Sequence, residues 1–136
     1  PFAVHVPITF IVFWPLLEAA AVYWRSPVLD RVSWTVGVLA IVCSLVATAT
    51  GQAAFDVPLE RGFAPELLNT HASDANLMPW VLLALAAARF FIPQKLGRNG
   101  RWVVVALGLA VAVFLTTVGQ SGGALVYEHG VGVQPR

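Results

Sequence analysis

The chain has 136 residues, of which 58% are hydrophobic and only 11% charged. Soluble domains average about half apolar and a quarter charged, so this composition excludes an ordinary soluble globule and places the chain in a bilayer as one domain. A net charge of +1 without a basic run argues against nucleic acid as a partner, and a single cysteine, Cys43, rules out an intrachain disulfide.

A membrane-crossing helix needs about 20 mainly apolar residues. Four stretches qualify: residues 6–24, 32–55, 71–92 and 102–125. The first carries Pro7 in its opening turn, where proline is tolerated, and Pro15 further in, where it predicts a kink, as does Pro79 in the third. Glu18 lies inside the first stretch, and an ionisable group there is a functional suspect by default. Arg89 and Arg25 are the bases available to it, which favours an intramembrane pair over a proton or quinone role. The links RSPVLDR and PQKLGRNGR are short and carry turn chemistry, whereas residues 56–70 form a longer connection. Short links force neighbouring helices antiparallel, so the expected fold is an all-α, up-down four-helix transmembrane bundle.

Charge sets the expected direction. Arg25, Arg31, Arg89, Lys95, Arg98 and Arg101, six of the eight Lys and Arg, fall on the side that holds the first and third links, while Arg61 and Arg136 fall on the other. The richer side should be cytoplasmic, which puts both termini on the periplasmic side.

On that frame His5 opens the first span, His71 opens the third and His129 follows the fourth, so all three histidines belong to the outer face. Imidazole is scarce inside membrane spans and usually faces a bundle interior when present. The outer halves also carry Thr48, Thr50, Gln52, Asn76, Thr116, Thr117, Gln120 and Ser121, side chains able to orient ring N–H groups or haem propionates. Gly119, Gly122 and Gly123 bare one face of the last helix for close approach, and a break at Gly122 and Gly123 would turn His129 back toward the bundle.

Four segments resemble a known family: PFAVHVPI at the start, ATG at 49–51, THA around His71, and GGALVYEHGVGV at 122–133. Together they make the chain similar to the bacterial membrane family catalogued as domain of unknown function 2231. The resemblance implies a four-helix, multi-pass protein of the bacterial inner membrane. It also implies a redox setting, since some relatives are fused to or encoded beside Rieske iron-sulfur or cytochrome domains. The family pattern has one more histidine just before this chain begins, and Val6 stands where the pattern has Phe.

Two functions remain open on these residues. In the first, two of His5, His71 and His129 are axial ligands of haem b in an electron-transfer protein or subunit; the absence of Cys-x-x-Cys-His excludes covalent attachment. Copper or zinc on the same histidines is the lesser metal alternative. In the second, the histidines are interfacial polar groups, and the chain is a cofactor-free structural or anchoring subunit of a membrane redox assembly. Expected partners are the lipid bilayer, other integral membrane subunits and a periplasmic Rieske or cytochrome carrier. Met78, seven residues after His71 on the same helical face, reads as apolar filler rather than a ligand. No paired carboxylates, Ser-His-Asp arrangement or phosphate loop supports an enzyme in its own right.

Overall fold

The computed structural model describes residues 4–133, so residues 1–3 of the opening motif, and Arg136, lie outside the described residues. These residues are all-helical, with no strand among them. In chain order the helices are α1 (His5–Trp24), α2 (Pro27–Ala53), the short α3 (Asp56–Glu60) and α4 (Pro65–Tyr127). Three of the helical stretches are long and apolar enough to cross a membrane.

α1 ends where Arg25 takes a left-handed conformation (φ 51°) and its N–H bonds Ala21 O. Ser26 then caps α2, its Oγ accepting from Leu29 N at 3.3 Å, and Pro27 occupies the first helical position. The helix therefore starts at Pro27 and not at residue 32, because cap and proline chemistry, rather than the onset of apolar residues, decides where it begins. The connection expected at 56–70 contains α3, and α4 starts within it: Ala64 is extended before Pro65, and Glu66 sits in the favourable first turn. His71 consequently lies in the second turn of α4 and does not open it.

The largest departure from the expected four separate helices is α4 itself. It runs for 63 residues, a contour of about 95 Å if straight. It is not straight. His71 and Ser121, 50 residues apart, meet at 3.0 Å, so α4 folds back on itself. The reversal is at Gly97 (φ 57°, ψ −136°), a backbone conformation that a side chain resists. Gly100 completes it, since a Cβ there would stand 2.9 Å from Ile92 O. The rest of the PQKLGRNGR link is helical on either side of Gly97, as Gln, Lys, Leu and Arg are good helix formers. Here α4 is divided into a first arm, 65–96, and a second arm, 98–127. Pro15 and Pro79, where kinks were expected, lie inside α1 and α4, and neither ends its helix. Pro15 packs on Gly108, where a Cβ would come within 2.9 Å of its ring.

The core is a seam of heptad-spaced positions. α1 buries Pro7, Ile11, Trp14, Glu18 and Ala21; α2 buries Ser33, Gly37, Ala40 and Ser44. The first arm buries Met78, Leu82, Leu85 and Arg89, and the second Val104, Gly108, Val111 and Val118. Alternating steps of three and four keep one stripe of each helix facing its neighbours. The α2 stripe consists entirely of small residues, which lets α1 approach until the Trp14 ring fills the space a Cβ on Gly37 would need, 2.5 Å away. Large apolar side chains such as Phe13, Leu16, Trp80 and Val113 point outward, the inverse of a soluble protein and the arrangement lipid requires.

Candidate functional site

In that apolar seam, one level is ionic. Glu18 is 1% exposed and takes the heptad position after Trp14. Its Oε2 accepts from Ser33 Oγ at 2.7 Å and from Arg89 Nε at 2.7 Å. Its Oε1 accepts from Arg101 Nε at 2.9 Å and Nη2 at 2.7 Å. Both guanidiniums then converge on Asp30 Oδ1, Arg89 Nη2 at 2.8 Å and Arg101 Nη2 at 2.6 Å. Arg89 also lies over the ring of Trp34, 4.4 Å from its centroid. α1, α2 and both arms of α4 each contribute a charged member.

Two carboxylates and two guanidiniums balance in this cluster, which is buried at Glu18 and Arg89 and reaches the surface at Asp30 and Arg101. Bringing one ion into such an interior costs several kcal/mol, which only a partner and saturated hydrogen bonding offset. Among the described residues no buried side-chain nitrogen or oxygen lacks a partner. The cluster lies six residues, about 9 Å of helix, inside the Trp24 end of α1, at the basic end of the molecule.

The opposite end holds the histidines. Ser121 Oγ lies 3.0 Å from Val118 O and 3.0 Å from His71 Nδ1, so its hydroxyl engages Nδ1 and leaves Nε2 as the other ring nitrogen. The ring edge fills the gap left by Gly122: a Cβ there would be 2.8 Å from His71 Cε1. Gly122 thus gives close approach to an imidazole of its own chain. Gly123 meets only Tyr127, at an ordinary 3.9 Å, and nothing approaches Gly119. His5 and His129 are exposed at the start of α1 and just beyond α4. Contrary to the expected break, α4 runs unbroken through Gly122 and Gly123 to Tyr127. The chain turns only afterwards, at Gly130 (φ 70°), where the left-handed backbone suits glycine. Among the described residues no three or more His, Cys, Asp or Glu side chains are placed to hold a metal ion, so the three histidines do not gather into one site.

The family model of domain of unknown function 2231, a predicted membrane protein, matches residues 1–135. The chain belongs to that family. No curated protein and no solved structure matches it.

In this member of family 2231, the Glu18 and Arg89 pair expected from sequence is present at 2.7 Å, whereas Arg25, the alternative partner, instead ends α1. Sequence reasoning missed Asp30, Ser33 and Arg101. The missed signal was register: Ser33 and Arg101 continue the heptad stripes 33, 37, 40, 44 and 101, 104, 108, 111. The hydroxyls proposed as cofactor-orienting groups mostly bond the helices themselves. Thr50 donates to Val46 O and Ala47 O, Thr116 to Val113 O, and Thr117 to Phe114 O. Thr48 donates across to Ala75 O at 3.4 Å, tying α2 to the first arm. Met78 is a core side chain beside Leu82.

Proposed function

We propose that this protein is a structural membrane subunit of four crossings, with the two arms of α4 as separate spans, that anchors or braces a larger membrane assembly without a cofactor of its own. The observation that carries this reading is the neutral cluster of Glu18, Asp30, Arg89 and Arg101, which ties every long helix together, with no buried side-chain nitrogen or oxygen among the described residues left without a partner. A buried polar cluster of this kind fixes register between helices that lipid alone would let slide. The bias of Lys and Arg toward the α4 reversal supports a cytoplasmic location for that end, with both termini across a bacterial inner membrane.

A second reading, haem b as an electron-transfer group, is favoured by one observation. His71 has Nδ1 engaged by Ser121 and Nε2 available, the arrangement that orients a ligating histidine. Bound there between two imidazoles, haem would supply one-electron transfer. Against it, the space at Gly122 is filled by the His71 ring itself and is no bed for a macrocycle.

One purification separates the two. Gently extracted protein is expected to show no Soret or α-band and no iron, and His71→Ala is expected to leave the chain folded. A reduced-minus-oxidised spectrum with a haem b α-band that His71→Ala removes would overturn the structural reading and establish the second.

A further inference from the structure

The two arms of α4 enclose a second feature, which the proposed scaffold role does not use. On the side adjoining the core seam, Val81, Ala84 and Ala88 of the first arm and Leu107, Ala110 and Phe114 of the second line an apolar groove of about 480 Å³, open to the surroundings. It exists because alanine stands at three of these six positions, so the arms present small side chains where lipid-facing helices ordinarily present large ones. From Leu77 to Ala88 the lining spans eleven residues, about 16 Å of helix, close to half of a hydrocarbon core of about 30 Å.

The lining of the first arm follows the register 77, 81, 84, 88, and two turns further along the same stripe comes Lys95. Lys95 is exposed, just short of the reversal at Gly97 and about 10 Å of helix beyond Ala88, and a stem directed back along the helix extends its ammonium toward the groove. Among the described residues no carboxylate pairs with it. The two acids at this end, Glu18 and Asp30, are both taken by Arg89 and Arg101. Arg25, Arg31 and Arg98 are exposed nearby in the chain's basic end, also without a carboxylate partner among the described residues. An apolar slot one leaflet long that leads to an uncompensated cation at the interface fits one occupant by length and charge.

We infer that the groove between the arms of α4 is a binding site for one anionic phospholipid, its acyl chain lying along Ala84, Ala88 and Ala110 and its phosphate held by Lys95. A zwitterionic lipid would fit the slot but gain little from the cation, and a helix would need a counter-charge at the mouth. The inference rests on both arms lying in the bilayer, as proposed above, and this part is checked separately by labelling single cysteines introduced at Lys95 and at Glu60 in a Cys43→Ala background. Label reaching both from one side of sealed vesicles would refute that topology without bearing on lipid affinity.

The test of the site uses the full chain in mild detergent and native mass spectrometry after addition of phosphatidylglycerol or phosphatidylcholine. Wild type is expected to retain one phosphatidylglycerol in preference to phosphatidylcholine. Lys95→Gln should reduce that preference about fivefold, the effect of one interfacial lysine on an anionic lipid, and leave phosphatidylcholine retention unchanged. Ala110→Phe, which fills the groove from a lipid-facing position, should lower retention of both. Equal retention of the two lipids by wild type, or undiminished phosphatidylglycerol in both variants, would overturn the site. A chain that retains no lipid but pairs with a second copy until Ala110→Phe separates them would also overturn it.

Discussion

The two ends of this molecule handle polarity in opposite ways. At the basic end, charge is carried inward: Glu18 and Arg89 are buried at positions that elsewhere in the same stripes hold Ile, Trp or Leu, and both Glu18 oxygens and Arg89 Nε and Nη2 are hydrogen-bonded. At the histidine end, polarity stays near the surface, and a single half-buried contact between His71 and Ser121 joins the arms. The acids follow the same division. Asp56, Glu60, Glu66, Asp74 and Glu128 lie toward the histidine end and enter no ion pair among the described residues, while both acids of the basic end are ion-paired. One end of the bundle is a lock and the other is a surface. A charge buried with all partners present fixes helices, whereas polar groups left at a boundary are free to meet whatever lies outside.

If that contrast is right, the largest effect belongs to Glu18. Glu18→Ala leaves the buried Arg89 with only the partly exposed Asp30 as an ionic partner, and removing one partner from a buried ionic cluster costs about 3–5 kcal/mol. Reversible unfolding in mixed micelles should show that loss. A cost no greater than that of an exposed pair, roughly 0–1 kcal/mol, would mean that the cluster is solvated and is no lock. Asp30→Asn should cost distinctly less than Glu18→Ala, because the Asp30 side chain is 37% exposed and water can replace it.

The contrast also explains what could be read from the chain alone. Helical class, membrane residence and the Glu18–Arg89 pair follow from mean hydropathy and from one acid standing where lipid forbids an unpartnered charge. Arg101 did not stand out, because it sits at the edge of an apolar stretch, where a basic residue ordinarily marks an interface and nothing more. Its role appears only once the second arm is docked against α1 and the stripe 101, 104, 108, 111 is seen to face inward. Helix boundaries were misjudged for a related reason. Apolar onset marks where lipid begins, but Ser26 with Pro27, and Pro65, start α2 and α4 several residues earlier through capping and fixed φ. At Gly122 the close approach read from the sequence is present, and what approaches is the His71 ring on the first arm.

At the histidine end the expected effects are smaller. Gly122→Leu sets a side chain where the His71 ring lies, forcing the arms apart locally. Overpacking of this kind costs about 1–3 kcal/mol, which the same unfolding titration would read. The substitution should leave the basic-end cluster intact, so adding Glu18→Ala is expected to give a sum of the two single effects within about 0.5 kcal/mol. A strong departure from additivity would show the two ends to be coupled and weaken the division drawn between them.

The smallest change sharpens the comparison most. Ser121→Ala removes the hydroxyl partner of His71 Nδ1 while leaving Gly122 and the ring's packing in place. Side-chain hydrogen bonds between membrane helices average about 0.6 kcal/mol, since the unfolded chain in the membrane also finds partners. A loss of about that size is expected, several-fold below Glu18→Ala. A half-buried neutral bond has water or a nearby carbonyl as a substitute, and a buried carboxylate between two guanidiniums has none. Should Ser121→Ala prove as costly as Glu18→Ala, the His71 contact would have to be holding more than two helices together, and the end described as a surface would be a second lock.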